Sequence, residues 1–237
     1  DNQSVGEPSG VVRAFDALSG EFAWAWDMGR PGVNTQPLRG EVYTRGTPNV
    51  WSLFSVDEEL GLIYAPTGNE TPDYFGGQRM ESSEQYASSI VAIDGETGSV
   101  RWSYQTTHHD LWDYDVPSQP VLIDLPGVDG EKVPAVLVPT KRAEVFVLNR
   151  VTGEPIFDIQ ELSVPQQGGV PEDYVAATQP FAVDLPNFRP DFTEAKMWGV
   201  TPLDQLWCRI EFKKMRYEGH FTVPGADTIF QFPGNAG

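Results

Sequence analysis

The fold of this chain is decided by residues 92–102, which read Ala92-Ile93-Asp94-Gly95-Glu96-Thr97-Gly98-Ser99-Val100-Arg101-Trp102. A close copy occupies residues 14–24, and a weaker copy occupies residues 147–157. In each copy a small or apolar residue is followed by Asp or Asn, then by Ser or Thr and Gly, and four positions later by an aromatic residue. Such internal repetition predicts a repeat architecture.

The pattern has a mechanical interpretation as a β-hairpin. An Asp or Asn side chain accepts hydrogen bonds from turn amides, and glycine adopts the positive φ that a tight reversal needs. The copies begin at residues 14, 92 and 147. These unequal intervals exceed a bare four-stranded blade of roughly 40–45 residues, so insertions must separate the blades. The repeats predict an all-β fold that is part of a propeller.

Local patterns outside the repeats support the same fold. Residues 62–65 and 136–138 are short apolar runs that predict strands, and the second belongs to a hairpin that turns near Arg142. No amphipathic helix of normal length is predicted. Residues 159–200, rich in Pro, Gln and Gly, are predicted to form long loops. The single cysteine, Cys208, is predicted to be a small buried strand residue.

The composition excludes several classes of function. The 237 residues are 40% hydrophobic and carry a net charge of −18, which disfavours nucleic acid and anionic membranes as partners. No run of 18 apolar residues is present. The first and last residues do not resemble natural termini, and we expect the chain to be a fragment of a longer protein, itself soluble.

The densest polar cluster directly follows the second repeat. It reads His108-His109-Asp110-Leu111-Trp112-Asp113-Tyr114-Asp115. A polar cluster beside a repeated scaffold motif indicates a working site. Two adjacent His residues rarely ligate one ion because their side chains diverge in an extended chain, so a structural role for them is favoured over a transition-metal role.

These elements together resemble a known family. The repeats resemble the tryptophan-docking motifs of PQQ-dependent quinoprotein alcohol dehydrogenases, which form eight-bladed propellers with PQQ and calcium near the axis. Residues 47–51 (Thr-Pro-Asn-Val-Trp), 68–73 (Gly-Asn-Glu-Thr-Pro-Asp) and 140–142 (Thr-Lys-Arg) add to the likeness. Residues 204–219 are specific to the membrane-bound glucose/quinate/shikimate branch. The resemblance covers residues 1–237, which it identifies as a partial PQQ-binding propeller domain of several blades.

The resemblance implies a function and a location. Residues 43–51 and 140–142, together with Asn69, favour the quinate/shikimate type within the branch. The implied activity is oxidation of a cyclic polyol or hydroxy acid by hydride transfer to PQQ, with electrons passed to membrane ubiquinone. The parent would face the periplasm, held to the bacterial inner membrane by an N-terminal anchor outside this chain. The methanol-type pair of adjacent cysteines is absent from the sequence.

The resemblance assigns the catalytic base to Asp113. A carboxylate at the substrate can accept the hydroxyl proton as hydride leaves. The alternative from the residues alone is a turn aspartate that binds backbone amides. Asp110 and Asp115 compete for the role of base, although bracing the loop is the favoured role for both.

Three residues are assigned to the cofactor by the same likeness. Trp51 would form the floor beneath the planar quinone, and it lies outside the repeat motif. Lys141, 28 residues after Asp113, would donate hydrogen bonds to the quinone oxygens. Arg45 would pair with a carboxylate of PQQ or of quinate. The alternatives are a blade-packing tryptophan and a surface lysine at a hairpin turn.

The metal ligands implied are Asn69 and Asp1. Asn69 lies 18 residues after Trp51, and Ca²⁺ prefers hard oxygen ligands. Asp1 is the carboxylate candidate, with Glu7 as the alternative. Ca²⁺ is favoured, and Mg²⁺ remains open.

Two other classes of function stay open at this point. One is a PQQ glucose or polyol dehydrogenase of the same family. The other is a non-catalytic propeller, either a scaffold or a carbohydrate-binding module. A scaffold has no reason to keep Trp51, Asn69, Asp113 and Lys141 at these spacings. Part of a propeller also exposes sheet edges, so self-association of the fragment is expected.

Overall fold

The computed structural model describes residues 4–189 and 192–233. Within them the secondary structure comprises eleven strands and two α-helices. The strands are β1 (Val12–Phe15), β2 (Phe22–Trp26), β3 (Ser55–Asp57), β4 (Leu62–Pro66), β5 (Ser89–Asp94), β6 (Val100–Gln105), β7 (Val121–Pro126), β8 (Lys132–Pro139), β9 (Val145–Asn149), β10 (Ile159–Ser163) and β11 (Thr178–Ala182). The helices are α1 (Glu81–Glu84) and α2 (Pro202–Lys214).

The strands form separate antiparallel sheets in which each strand pairs with its neighbour in sequence. The orders are β1-β2, β3-β4-β5-β6, β7-β8-β9 and β10-β11. The second sheet is a complete four-stranded meander, as a propeller blade requires. The prediction of a strand architecture built from consecutive hairpins is therefore confirmed.

The repeat turns behave as predicted. Asp94 Oδ1 accepts the backbone N–H of Glu96 (3.1 Å) and of Thr97 (2.9 Å), and Gly98 has φ 72°. The side chains of the other two copies, Asp16 and Asn149, accept the amides two and three residues ahead in the same way. The third copy departs from the hairpin prediction, because a single bridge between Leu148 and Pro155 follows β9 instead of a second strand.

Consecutive sheets are joined through the tryptophan that ends one repeat and the glycine of the next. Trp24 lies over Gly98, and a Cβ on that glycine would fall 2.6 Å from the indole ring. Trp102 lies over Gly153 in the same manner, with a corresponding separation of 2.7 Å. The Trp24 Nε1–H donates to the carbonyl of Gly95 at 2.9 Å. Because only glycine leaves room for the ring, these repeat positions are fixed by packing between sheets.

Apolar cores fill the spaces between neighbouring sheets. One lies between the β1-β2 sheet and the four-stranded sheet and includes Trp26, Met28 and Ile93. A second lies between the four-stranded sheet and the β7-β8-β9 sheet and includes Tyr64 and Phe146. The four-stranded sheet is covered on both faces: Leu62 and Tyr64 of β4 lie in one core and Ala65 in the other, which explains the continuous apolar run that predicted β4.

Three sequence predictions are wrong. Helix α2 spans 13 residues where no helix was expected, and it contains Cys208, which is therefore neither in a strand nor fully buried. Its start has a clear signal in the sequence, since Thr201 and Asp204 form a capping box around Pro202. The loops expected over residues 159–200 contain the paired strands β10 and β11. The two strands are consecutive but are separated by residues 164–177, so no short hairpin turn marks their pairing in the sequence.

Candidate active site

The site is built on the loop of residues 106–115, which leaves β6. Its central brace is Asp110, which is fully buried. Asp110 Oδ1 accepts the amide of Trp112 (2.9 Å), while Oδ2 accepts the amide of Tyr114 (2.7 Å) and the hydroxyl of Ser88 (2.5 Å). Burial raises the pKa of Asp110 to about 6. The structural role predicted for this residue is confirmed.

Asp113 lies at the tip of this loop in a different environment. Its backbone has φ 61°, a left-handed conformation that Asp adopts more readily than most non-glycine residues. Its carboxylate contacts the Lys141 ammonium at 3.0 Å. Burial, and next the negative charge of Asp115, raise the pKa of Asp113 well above its ordinary value, although Lys141 opposes the shift. A carboxyl group with this pKa is suited to exchanging a proton near neutral pH.

Lys141 is placed by the hairpin turn between β8 and β9. Its ammonium lies between Asp113 (3.0 Å) and Asp115 (2.9 Å), and its side chain is 7% exposed. Burial lowers the pKa of Lys141, but the two carboxylates outweigh burial and raise the pKa overall. The ammonium also lies 5.5 Å from the centre of the Trp51 ring. Lys141 and Asp113, which are 28 residues apart in the sequence, are thus in direct contact.

Trp51 completes this group of side chains. Its indole N–H donates to Asp115 Oδ2 at 3.1 Å, which fixes the orientation of the ring. The side chain is nevertheless 53% exposed. An indole held by one edge with its surface open can stack against a flat ligand. Gly68 lies close to the same edge of the indole, because a Cβ there would be 3.1 Å from the indole nitrogen.

Asp115, for which the sequence favoured a bracing role over that of a base, is the hub of the site. Its carboxylate accepts hydrogen bonds from Trp51, from Lys141 and, at 2.6 Å, from the backbone N–H of Asn69. It therefore links three segments that are remote in sequence. The available signal was the spacing of Asp113 and Asp115, which places two carboxylates two residues apart after a strand.

Asn69 is buried beside Asp115. Its side-chain amide donates to the carbonyls of Asp73 (2.9 Å) and Asp110 (2.8 Å), and its Oδ1 accepts the backbone N–H of Glu70. An amide oxygen has two lone pairs, so one stays available to a ligand. Asp73 is the carboxylate that sequence reasoning missed: burial, and next Asp115, raise its pKa to about 6.

The chemistry of these donors fits a hard cation. Asp73, Asp113 and Asp115 interact electrostatically with one another and with the ammonium of Lys141, and Asp73 also interacts with Arg79. Asp73 Oδ1 is buried and has no hydrogen-bond partner among the described residues. Carboxylate and amide oxygens are the ligands that Ca²⁺ and Mg²⁺ prefer. Across residues 4–189 and 192–233, three or more acidic, His or Cys side chains do not converge as a ready-made metal cluster.

The remaining predicted site residues lie elsewhere. Asp1 is outside the described residues. Arg45 is exposed and its Nε donates to the carbonyl of Gly6 at 2.6 Å, so it joins a different segment from the Lys141 group. The carboxylate of Glu7 accepts a hydrogen bond from the hydroxyl of Ser4.

The two histidines hold the loop in place. His109 is buried, has φ 40°, and bridges Glu84 (2.9 Å) and Asp173 (2.8 Å) through its two ring nitrogens. Its ring stacks on Tyr174 at 3.7 Å. Burial lowers the pKa of His109, but its hydrogen bonds to both carboxylates raise it overall. His108 contacts Gln105 and Glu161. Both contact patterns agree with the structural role favoured from the sequence.

Comparison with known proteins identifies the family. The family model described as "PQQ: Glucose/ethanol/alcohol dehydrogenase, beta-propeller domain" matches residues 1–237. The chain belongs to this family. It is 48% identical to the quinoprotein glucose dehydrogenase of Escherichia coli (strain K12) and 47% identical to the glycerol dehydrogenase large subunit of Gluconobacter thailandicus. It is 40% identical to the quinate/shikimate dehydrogenase (quinone) of Acinetobacter baylyi. In each case all of this chain is covered, but only 32%, 30% and 29% of the glycerol, glucose and quinate relatives.

Two solved dehydrogenase structures are similar to this chain in fold. The quinohemoprotein alcohol dehydrogenase of Comamonas testosteroni matches with TM-score 0.51 and 28% identity, over 73% of this chain and 28% of that protein. A europium-containing methanol dehydrogenase matches with TM-score 0.50 and 28% identity, over 66% of this chain and 31% of that protein. The chain thus spans about a third of the length of its relatives in the family.

Proposed function

We propose that the full-length protein is a PQQ-dependent dehydrogenase that oxidises a secondary alcohol of a polyol or cyclic hydroxy acid. One observation carries the proposal: buried Lys141 lies between Asp113 and Asp115 beside the half-exposed indole of Trp51. Burying three charges costs free energy and adds little stability, and buried ionisable groups of this kind are more typical of catalytic sites than of scaffolds.

Each residue has a chemical role in this proposal. Bound PQQ would supply a two-electron acceptor, and a hard divalent cation, Ca²⁺ in preference to Mg²⁺, would polarise its carbonyl oxygens. Trp51 would hold the flat ring by stacking, and Lys141 would donate hydrogen bonds to the ring oxygens. Asn69, through its remaining lone pair, and Asp1 would hold the cation. Arg45 would pair with a carboxylate of PQQ or of quinate only after its guanidinium gives up the hydrogen bond to the Gly6 carbonyl.

The base in this proposal is Asp113. When substrate and cofactor bind, the Lys141 ammonium can turn from the carboxylates to a ligand oxygen. Asp113 then accepts the proton of the substrate hydroxyl on its carboxylate. Its raised pKa matches this task, because a base with an ordinary aspartate pKa would bind the proton too weakly.

The wider assembly is part of the same proposal. Contacts of the Trp24–Gly98 kind would join eight blades into a closed propeller, of which residues 1–237 supply several. The parent would be held to the periplasmic side of the inner membrane by an anchor outside this chain and would pass electrons to ubiquinone. In the described residues, no helix is long and apolar enough to cross a bilayer.

The substrate has two candidates. Quinate or shikimate is the first, from residues 43–51, Asn69 and residues 140–142. Glucose or another polyol is the second, because identity to the glucose and glycerol enzymes is higher than to the quinate enzyme.

The test is dye-linked oxidation by the full-length protein reconstituted with PQQ and Ca²⁺. Quinate, shikimate, glucose and glycerol are compared at equal concentration. Activity on quinate or shikimate alone supports the first candidate, and activity on glucose or glycerol supports the second. Turnover of all four that is independent of PQQ would overturn the proposed function.

A further inference from the structure

Helix α2 presents an apolar stripe to solvent. Its members are Leu203 (77% exposed), Leu206 (53%), Trp207 (62%) and Ile210 (46%). Their spacing of three and four residues places them on one side of the helix. A helix of a globular domain normally turns such a stripe towards the core. A stripe that faces solvent therefore indicates an interaction surface.

An N-terminal cap and an aromatic cluster hold the helix with this stripe facing outwards. The capping box of Thr201 and Asp204 fixes its start. On the inner side Phe212 packs in an aromatic cluster with Phe192 and Phe230, at ring separations of 6.1 and 5.1 Å. The cap and this aromatic cluster hold the helix in place, although none of its residues is fully buried.

The surroundings of the stripe combine aromatic and basic residues. Trp198 and Val200, which precede the helix, are 75% and 80% exposed. Lys213 and Lys214 end the helix with side chains 65% and 63% exposed. Their partners are surface carboxylates, and such exposed ion pairs are weak enough to exchange for other anions.

The local charge opposes that of the whole chain. Residues 194–216 contain five basic and three acidic side chains, whereas the chain carries a net charge of −18. An exposed face of Leu, Ile and Trp with lysines at its end is the composition of helices that lie in the interface of anionic bilayers. Tryptophan favours the same interface, because it has an apolar body and a polar N–H.

We propose that the outer face of α2, together with Trp198 and Val200, docks on the surface of an anionic phospholipid bilayer. The helix lies in the bilayer plane with Leu206, Trp207 and Ile210 between the headgroups and the acyl chains. Lys213 and Lys214 contact lipid phosphates. The proposal concerns a surface remote in sequence from Asp113 and does not depend on the dehydrogenase activity.

The experiment uses the full-length protein in vesicles of POPC and POPG at 3:1. Tryptophan emission is compared between these vesicles and vesicles in which dibrominated POPC replaces POPC, because bromine quenches only indoles at the membrane. The variant Trp198→Phe/Trp207→Phe identifies the contribution of the two exposed indoles. Both substitutions are at exposed positions, and circular dichroism checks that the fold is retained.

We expect bromolipid to quench a component of the emission that is absent from Trp198→Phe/Trp207→Phe. Lys213→Glu/Lys214→Glu should reduce that component at least threefold. The matched control Lys132→Glu, at a lysine 77% exposed on β8, should leave it unchanged. Equal quenching of wild type and the double Phe variant would overturn the proposal, and would mean that another segment or a second copy covers the face. Insensitivity to the lysine reversal would overturn its anionic-lipid specificity.

Discussion

Aspartates in two regions of this molecule face opposite environments. In the repeat turns, Asp16 and Asp94 lie near the surface, and hydrogen bonds from Ser19 and Thr97 amides lower their pKa values. In the loop of residues 106–115, burial raises the pKa values of Asp110 and Asp113. Aspartate thus stabilises chain reversals in the repeat turns, whereas in the loop of residues 106–115 it forms a carboxyl group that can bind a proton near neutral pH. The position of an aspartate in the fold, rather than its residue type, therefore decides whether it has a structural or a chemical role.

The largest expected effect tests this contrast directly. Asp113→Asn in the full-length protein should lower kcat by roughly 10²- to 10⁴-fold, because the amide accepts no proton from the substrate. PQQ binding, measured by absorbance of the reconstituted protein, should be retained. The matched control is Asp94→Asn, which keeps a turn acceptor and should keep near-normal kcat. Undiminished dye reduction by Asp113→Asn would remove this residue from the mechanism.

The next effect concerns the buried charges of the loop. Lys141→Met should lower the free energy of unfolding by about 3 kcal/mol, because it leaves Asp113 and Asp115 buried without their cation. Thermal melting of the full-length protein measures the change. Lys132→Met removes an exposed lysine from an ion pair with Asp124 and should leave the melting temperature nearly unchanged. If both variants melt alike, the two regions do not differ as described.

A third variant tests the scaffold itself. Gly153→Ala should destabilise the protein by about 3 kcal/mol, since it adds strain at φ 78° and places a Cβ 2.7 Å from Trp102. Gly20→Ala is the control: its φ is 73°, but a Cβ there has no neighbour within 4 Å, so only about 1 kcal/mol is expected. Chemical denaturation provides both values. Equal losses would show that the Trp102 contact contributes nothing.

The smallest expected effect is a pH dependence from His109. Its folded pKa is raised above the ordinary 6.5, so its contribution is fully present below pH 6.5 and is lost as the pH rises through the folded value. Asn tolerates the left-handed backbone at this position. His109→Asn should therefore be less stable than wild type by about 1 kcal/mol at pH 6, and the gap should shrink towards pH 9. Melting curves across this range measure the gap, and a gap that widens with pH would contradict the assignment.

Much of the scaffold is readable from the sequence because its causes are local. The turn aspartates bind amides two and three residues ahead, and the glycines take a positive φ within the same short stretch. The family resemblance assigned Trp51, Lys141 and Asp113 to one site, and these side chains lie close together in the fold. The predictions that are wrong concern residues 159–214, where a capping box at Thr201 starts α2 and where β10 pairs with β11 across a long connection.

The sequence by itself determined the strand character, the turns of the three repeats and the hairpins of the first two copies. Only the tertiary structure decided that Asp115 links Trp51, Lys141 and Asn69, that Asp73 Oδ1 is buried without a hydrogen-bond partner among the described residues, and that Arg45 binds the Gly6 carbonyl. It also turned the apolar side of α2 outwards. The reason is physical: hydrogen bonds within a turn depend on a few neighbouring residues, whereas burial, charge coupling and exposure depend on which distant segments the fold brings together.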